Sequence, residues 1–315
     1  MPGKIVEAPE VYGRLSMDVC IGLMRGALAG LAAGDVVQPV RTIFKLPGDD
    51  AFGFMPAWLG ENDFFGAKII TAFHRNLGTP YPSHMGYVML FESTHGGFVG
   101  MADATAITEI RTGAVSGVAT DLLARMDARV LAVIGAGAQG RSHMAAVTAV
   151  RKIAEARVYD ISAANADRYA AEQSERYGIP VRPCGSSREA VEDADIICTL
   201  TPSREPFLEA AWVRPGAHIN AVGAFTPATR EVTSGLVAAS KLYADQVEAM
   251  KKECGEYLIP LAEGLITEGH IRGSIGDLIL GRIPGRESDT EITLFDALGL
   301  AVEDVVCARY LCGGP

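Results

Sequence analysis

The sequence predicts an α/β protein whose larger part folds as a doubly wound parallel sheet. From Arg129 onward, short apolar runs alternate with helical segments, an order typical of a parallel sheet with helices on both faces. Before that point, β-type runs follow one another between Pro, Gly, Asn and Asp signals, as in an antiparallel sheet. A glycine-rich turn, GAGAQG, directly follows the first strand of the alternating part. The chain therefore has two parts of different architecture.

The first part begins with an amphipathic helix. Between Ser16 and Ala33 the apolar residues recur at three- and four-residue steps, with Ser16 as N-cap and Gly34 as stop. The β-type runs that follow are TIFKL, AFGFM, FFGAKIITAF, YVMLFE and GGFVGM. A helical stretch from about Asp103 to Met126 then leads into the second part.

The second part is predicted strand by strand. The strand-like runs are residues 130–134, 156–160, a short VRPC run, 194–200, 218–223 and 241–245. The final stretch, TLFDALGLAVEDVVCARYLC, has apolar residues at helical spacing and no strand after it. We expect it to be a helix that returns to pack on the first part.

Composition and charge exclude several classes of function. The 315 residues carry a net charge of −10, which repels nucleic acid and anionic lipid. No apolar run approaches the roughly 18 residues of a membrane span, and the N-terminal MPGKIVEAPE is unlike a signal peptide. We therefore expect a soluble cytoplasmic protein with no nucleic-acid or membrane partner. The six cysteines lack metal-ligand spacing, so we expect reduced thiols and no metal site.

The glycine turn predicts a dinucleotide site. Gly135, Gly137 and Gly140 follow an apolar strand and precede a helix, whose N-terminal N–H groups would lie against a pyrophosphate. Asp160 ends the next strand, where a carboxylate accepts hydrogen bonds from the adenosine ribose and repels a 2′-phosphate. The sequence therefore favours NAD(H) over NADP(H). The alternative is a glycine-rich turn that only closes a strand–helix unit.

Three cations of the first part lie in apolar surroundings. Lys68 is the only charge in FFGAKIITAF, Arg41 precedes an apolar strand, and Arg111 lies in a helical region with few charges. Together they suit a clamp for a carboxylate. The alternatives are a lysine that extends to water at a sheet edge and arginines in structural ion pairs.

Several segments resemble the ornithine cyclodeaminase and mu-crystallin family. They are GAKIITAFHRNLGTPYPSH, IRTGAVSGVATDLLAR, VIGAGAQG, HINAVGAFTPATREV and TLFDALGLAVEDV, in the same order along nearly the whole chain. The resemblance implies a Rossmann-type doubly wound parallel sheet inserted into an α+β substrate and dimerisation domain. Residues 1–112 and 290–315 would form the outer domain, residues 113–289 the dinucleotide domain, and the protein a homodimer.

The resemblance also implies functions for individual residues. Arg41, Lys68 and Arg111 would hold the α-carboxylate of the substrate. The residues implied for the cofactor are Ser83, Arg111, Gly135, Gly137, Ala138, Gln139, Gly140, Asp160, Thr201, Val222, Gly223 and Ala224.

One position separates the activities of this family. Where its cyclodeaminases have G-G-D-C-P, with the aspartate as acid and base, this chain has G-A-F-T-P, so Phe225 takes the place of the aspartate. A phenyl ring cannot transfer a proton. The change favours the reductases and amino-acid dehydrogenases of the family. The alternatives are an ornithine cyclodeaminase and a non-enzymatic NAD(P)H-binding protein of the crystallin type.

We therefore predict an NAD(P)H-dependent enzyme that acts on the C–N bond of a small α-imino or α-amino acid. In this hypothesis Arg41 and Arg111 fix the α-carboxylate, and Lys68, or a water that it holds, protonates the imine nitrogen. Met55 and Phe225 would shape an apolar pocket for the substrate side chain. Alanine with its pyruvate and ammonia, a cyclic pyrroline or piperideine carboxylate, and iminosuccinate are all compatible with these residues.

Overall fold

The computed structural model describes residues 3–61, 63–76 and 79–313, and the chain forms two compact units. The first unit contains the residues up to Arg111 together with those from Gly299 onward. The second unit is continuous and spans Thr112–Leu298. The first unit is therefore interrupted in sequence by the second.

The secondary structure follows in chain order. The strands are β1 Lys4–Val6, β2 Thr42–Lys45, β3 Ala51–Trp58, β4 Phe64–Ala72, β5 His84–Glu92, β6 Phe98–Asp103, β7 Val130–Ile134, β8 Glu155–Tyr159, β9 Val181–Pro183, β10 Ile196–Thr199, β11 His218–Ala221, β12 Ser240–Ala244, β13 Ile271–Ser274 and β14 Ile292–Asp296. The α-helices are α1 Ala8–Arg14, α2 Met17–Ala33, α3 Ala104–Leu123, α4 Ala138–Val150, α5 Ala163–Tyr177, α6 Ser187–Val191, α7 Ser234–Ala239, α8 Val247–Glu253, α9 Gly255–Ala262, α10 Ile275–Ile279 and α11 Ala301–Cys312. Among the helices that the structure describes, none is long and apolar enough to cross a membrane alone; α1 and α2 qualify only as a pair, which is bent by 88°.

The first unit is built on a six-stranded sheet. Its order is β1-β6-β5-β4-β3-β2, with β1 parallel to β6 and all other pairs antiparallel, which confirms the antiparallel prediction for β2 to β6. Helix α11 packs on this sheet, and α2 packs on α11. The predicted ends of α2 are also confirmed, because the Ser16 hydroxyl accepts from Val19 N at 3.4 Å and Gly34 is left-handed (φ 86°).

The second unit is built on an eight-stranded parallel sheet. Its order is β13-β12-β14-β11-β10-β7-β8-β9, which confirms the predicted parallel sheet. Leu131 and Val133 of β7 belong to one hydrophobic core, whereas Ala132 and Ile134 belong to another. The sheet is therefore buried on both faces, as alternating side chains require. The strand order reverses between β7 and β10, and ligands of such sheets bind at this switch point, beyond the carboxyl ends of the strands.

The prediction for the final stretch was wrong in its first half. Residues Ile292–Asp296 form strand β14, which lies between β11 and β12, and the helix begins only at Ala301. Residues 290–298 consequently lie in the second unit and not in the outer domain. A strand buried on both faces has a nearly continuous apolar pattern, which periodicity cannot separate from that of a buried helix.

Candidate functional site

Three glycines shape the turn between β7 and α4. Gly135 is left-handed (φ 111°), and a Cβ there would lie 2.9 Å from the Leu200 carbonyl oxygen. Gly137 is the N-cap of α4 and would have open space around a Cβ, whereas a Cβ at Gly140 would lie 2.4 Å from the Gly135 carbonyl oxygen. These are the three requirements of a pyrophosphate-binding turn: a tight turn, open access to the backbone, and close packing of helix on strand.

Asp160 is bonded to this turn. Its Oδ2 accepts from Ala136 N at 2.9 Å, and its Oδ1 accepts from Ser162 N at 2.9 Å. Each carboxylate oxygen can accept a further hydrogen bond. Ala138 and Gln139 form the first turn of α4 beside it. The five predicted residues of the turn and Asp160 are thus brought together at the switch point of the sheet.

Other predicted cofactor residues follow β10 and β11. These strands are parallel neighbours with Thr199 opposite Ala221, so the segments that leave them begin side by side. Thr201 leaves β10, and Val222–Ala224 leave β11. Phe225 continues the second segment and is 48% exposed. The carboxyl ends of β7, β8, β10 and β11 therefore carry all the predicted cofactor residues of the second unit.

Lys68 lies in the interior of the first unit. It belongs to β4 and is 3% exposed. Its Nζ lies 2.7 Å from Asp304 Oδ2 and donates to Thr108 Oγ1 at 3.4 Å. The alternative of a lysine that extends to water at a sheet edge is therefore wrong.

Arg111 joins the same charged cluster. Its Nη1 donates to Glu303 Oε2 at 2.7 Å, and its Nε donates to Asp304 Oδ1 at 3.2 Å. Both carboxylates lie in the first turn of α11. Gly299 is left-handed (φ 81°), and a Cβ there would lie 2.7 Å from Arg111 Nη1, so only glycine leaves room for the guanidinium. Asp304 thus connects Lys68 and Arg111. Arg111 forms structural ion pairs, which the sequence analysis gave as the alternative to a substrate clamp.

Burial and neighbouring charges set the protonation of this cluster. Burial lowers the pKa of the Lys68 ammonium; Asp304 opposes this change, and the Arg111 charge adds to it. Burial also acts to lower the pKa of Arg111, but Asp304 and Glu303 outweigh it, and that pKa is raised. Arg111 is therefore a permanent cation, whereas Lys68 is the member of the cluster that can release a proton.

The sheet register places Met55 beside Lys68. Met55, which is buried, pairs directly with Lys68 across β3 and β4, so both side chains lie on one face. Arg41 precedes Thr42, which pairs with Phe54. Two of the five residues predicted for the substrate, Met55 and Lys68, are thus neighbours on one face of the sheet.

Ser83 and Arg111 were predicted to contact the cofactor from the first unit. Ser83 directly precedes β5, and its Oγ lies 3.1 Å from His84 Nδ1. Arg111 is buried at the end of the first unit against α11. Their contact with a cofactor stays a prediction.

Sequence reasoning missed the carboxylates that hold the candidate residues within each unit. Glu303 and Asp304 compensate the cations of the first unit, and Glu231 of the second unit contacts Thr201 and Gly223. A signal for the first two was present: AVEDVVCA places two adjacent acids in an otherwise apolar helix. Buried charges require partners, so that pair could have been matched to Lys68 and Arg111.

The fold and these residues define an α/β protein whose second unit has a sheet of the dinucleotide-binding type and whose first unit carries a buried charged cluster. The family model described as "Ornithine cyclodeaminase/mu-crystallin family" matches residues 3–312. The chain belongs to this family, which confirms the resemblance.

Characterised relatives and solved structures are similar over nearly the whole chain. Ketimine reductase mu-crystallin of Mus musculus is 38% identical over 311 residues, which are 97% of this chain and 95% of the relative. The structure of Thermococcus litoralis Delta(1)-pyrroline-2-carboxylate reductase in complex with NADH and L-proline is 36% identical, with a TM-score of 0.95 over 98% of this chain and 96% of that one. An archaeal alanine dehydrogenase dimer with bound NAD is 31% identical, with a TM-score of 0.94 over 99% and 96% of the two chains.

Proposed function

We propose that this protein is an NAD(P)H-dependent oxidoreductase that reduces the C=N bond of a small α-imino acid to the amine. The observation that carries the proposal is the buried Lys68 ammonium, whose pKa is lowered, in a chain that also has a complete pyrophosphate-binding turn. The similarity to a reductase that was solved with NADH and L-proline supports the same class of substrate. Phe225, where cyclodeaminases have an aspartate, supports reduction over cyclodeamination.

The residues of the first unit supply charge and a proton. Glu303 and Asp304 offset the charges of Lys68 and Arg111. In this proposal Arg41 and Arg111 bind the α-carboxylate of the substrate. Lys68 donates a proton to the imine nitrogen and becomes a neutral amine, which its lowered pKa favours. When bound, NAD(P)H supplies the hydride that the imine carbon accepts. Met55 and Phe225 contribute apolar surface for the substrate side chain.

The residues of the second unit hold the cofactor. The turn at Gly135, Gly137 and Gly140 fits a pyrophosphate, and Asp160 lies where the adenosine ribose binds in such folds. A carboxylate there repels a 2′-phosphate, so NAD(H) is preferred to NADP(H). Reduced NADH is therefore expected to give a kcat/KM at least about tenfold higher than NADPH.

A screen of NADH consumption tests the proposed function. The substrates are pyrroline-2-carboxylate, piperideine-2-carboxylate, pyruvate with ammonia, and iminosuccinate, each with NADH and with NADPH. We expect oxidation of the cofactor with at least one of them, and no ammonia from ornithine. Ammonia release from ornithine without net change in NADH would identify a cyclodeaminase instead. Tight binding of NADH with no consumption on any substrate would identify a binding protein.

A homodimer through the first unit is part of this proposal. The sheet face opposite Lys68 presents apolar side chains that are each at least a third exposed. They are Ile5, Phe44, Phe54, Phe65, Met85 and Phe98. Exposed apolar surface of this kind marks an interaction site, and a related alanine dehydrogenase is described as a dimer. A second copy of this face is the partner that we propose.

Light scattering tests the dimer. The wild-type protein is expected to have twice the mass of one chain, and Phe54→Asp is expected to have the mass of a single chain, because a carboxylate in an apolar interface is strongly disfavoured. Met126→Asp is the matched control, since Met126 is 82% exposed in the second unit. A dimer that persists in Phe54→Asp would exclude this face as the interface.

A further inference from the structure

Glu231 joins two segments of the second unit with one carboxylate. Its Oε1 accepts from the backbone N and from the Oγ1 of Thr201, both at 2.7 Å. Its Oε2 accepts from Gly223 N at 2.9 Å. Thr201 follows β10 and Gly223 follows β11, so this side chain sets the spacing between the two segments that leave those strands.

The backbone of Glu231 is held as firmly as its side chain. Its N–H donates to Glu256 Oε1 at 2.8 Å, and its carbonyl oxygen accepts from Phe207 N at 2.9 Å and from Leu208 N at 3.0 Å. The residue is fully buried. The position of the carboxylate is therefore fixed by the backbone of Glu231, and the segments that contain Thr201 and Gly223 are placed relative to it.

Gly223 shows how closely these segments approach. A Cβ at this position would lie 2.2 Å from the Thr201 carbonyl oxygen and 2.7 Å from Glu231 Oε1. Both distances are shorter than any real contact of a Cβ atom, so only glycine is compatible with the bridge. A tight arrangement of this kind transmits small changes at Glu231 directly to the backbone of residues 222–224.

The surroundings of Glu231 are acidic. Nearby in the interior, the Cys254 Sγ and one carboxylate oxygen each of Glu256 and Asp296 lie within 4.8 Å of one another. Burial, together with the neighbouring acids, raises the pKa of Glu256 to about 8 and raises that of Asp296. Burial also raises the pKa of Glu231, and the hydrogen bonds from Thr201 and Gly223 oppose that change. Thr201 and Gly223 only donate to the Glu231 side chain, so the ionised carboxylate, which only accepts, is the form that matches them.

We propose that Glu231 is a positioning residue for the nicotinamide half of the cofactor, because its carboxylate sets the relative placement of Thr201 and Gly223. This inference rests on the proposed function, in which both residues line the cofactor. A doubly wound sheet binds one mononucleotide in each half. Asp160 belongs to the adenosine half, which begins at β7 and β8, so the segments after β10 and β11 serve the other half. Glu231 acts through these segments and does not contact the cofactor.

Glu231→Gln tests this placement. A carboxamide accepts through one atom and donates through the other, so it can satisfy Thr201 or Gly223 but not both. We expect the Kd for NADH to rise by about 10- to 100-fold, the effect of one lost charged hydrogen bond. The Kd for ADP-ribose, which lacks the nicotinamide, is expected to stay within about twofold. NADH binding is measured by fluorescence titration and ADP-ribose binding by calorimetry.

Two further variants keep the test decisive. Thr201→Val removes only the hydroxyl donor and is expected to weaken NADH binding in the same direction by a smaller factor, even if Glu231→Gln does not fold. Glu209→Gln, at an exposed glutamate of the same segment, is expected to bind both ligands as the wild type does. If Glu231→Gln weakened the binding of NADH and of ADP-ribose equally, or weakened neither, this inference would be overturned and the proposed function would stand. A wild-type protein that bound neither ligand would overturn the proposed function and this inference together.

Discussion

Lys68→Met is expected to lose turnover by about 10²- to 10⁴-fold while it binds NADH with the affinity of the wild type. The ammonium of Lys68 is buried in the first unit, where it contacts Asp304, and is the proposed proton donor to the imine nitrogen. The pyrophosphate-binding turn belongs to the second unit. Steady-state kinetics with the best substrate of the screen and NADH fluorescence titration measure the two effects separately.

Lys68→Arg separates proton donation from charge. An arginine keeps the cation beside Asp304, but it does not release a proton near neutral pH. It is therefore expected to lose turnover as well. Lys45→Met, at an exposed lysine of β2, is the matched control and should be fully active. A Lys68→Arg enzyme with the wild-type kcat would assign Lys68 a purely electrostatic function, and an active Lys68→Met enzyme would remove it from the mechanism.

Asp304→Asn is expected to lower the free energy of unfolding by about 3–5 kcal/mol, because it leaves buried cations without their shared carboxylate. Asp304 is fully buried and pairs with both Lys68 and Arg111. Removal of its negative charge also disfavours the ammonium form of Lys68, so the pKa of Lys68 falls further. The alkaline limb of the pH–rate profile should move to lower pH. Urea denaturation and kcat/KM against pH measure these two effects.

Two comparisons make the Asp304 result specific. Glu303→Gln removes a carboxylate that pairs with Arg111 and is less strongly coupled to Lys68, so it should destabilise the fold with a smaller shift of the pH–rate profile. Asp35→Asn, at an exposed aspartate of the same unit, should change neither property. An Asp304→Asn enzyme as stable as the wild type would show that the two cations do not need this carboxylate.

Local sequence signals predicted the elements that depend on interactions between residues close in sequence. Ser16 and Gly34 bound α2 because a hydroxyl can cap the first turn and glycine can adopt a left-handed conformation at the end. Gly135, Gly137 and Gly140 predicted the turn after β7 for the same kind of reason. The sequence showed Lys68 as the only charge in FFGAKIITAF but left open whether its ammonium reaches water; in the structure it is buried against Asp304.

Contacts between distant residues were not predictable in this way. The apolar run at Ile292–Asp296 is compatible with a buried strand or a buried helix, and only its pairing with β11 and β12 separates the two. Glu231 lies within the HINAVGAFTPATREV segment, but nothing in that segment indicates its partners, and its proposed function depends on the proximity of Thr201 and Gly223, 30 and 8 residues away. Such proximity is a property of the strand order, which no local pattern records.

The amino-acid pattern alone therefore determined that this chain has a parallel sheet with a glycine-rich turn after its first strand, an antiparallel region in which Lys68 lies among apolar residues, and a phenylalanine instead of an acid at position 225. Backbone preferences and the cost of burying a charge operate within a few residues, so they can be read from a segment. The tertiary structure decided that Asp304 joins Lys68 to Arg111 and that Glu231 joins the ends of β10 and β11. A buried carboxylate is stable only beside hydrogen-bond donors or cations, and its partners here are distant in sequence, so only the folded structure shows which residues they are.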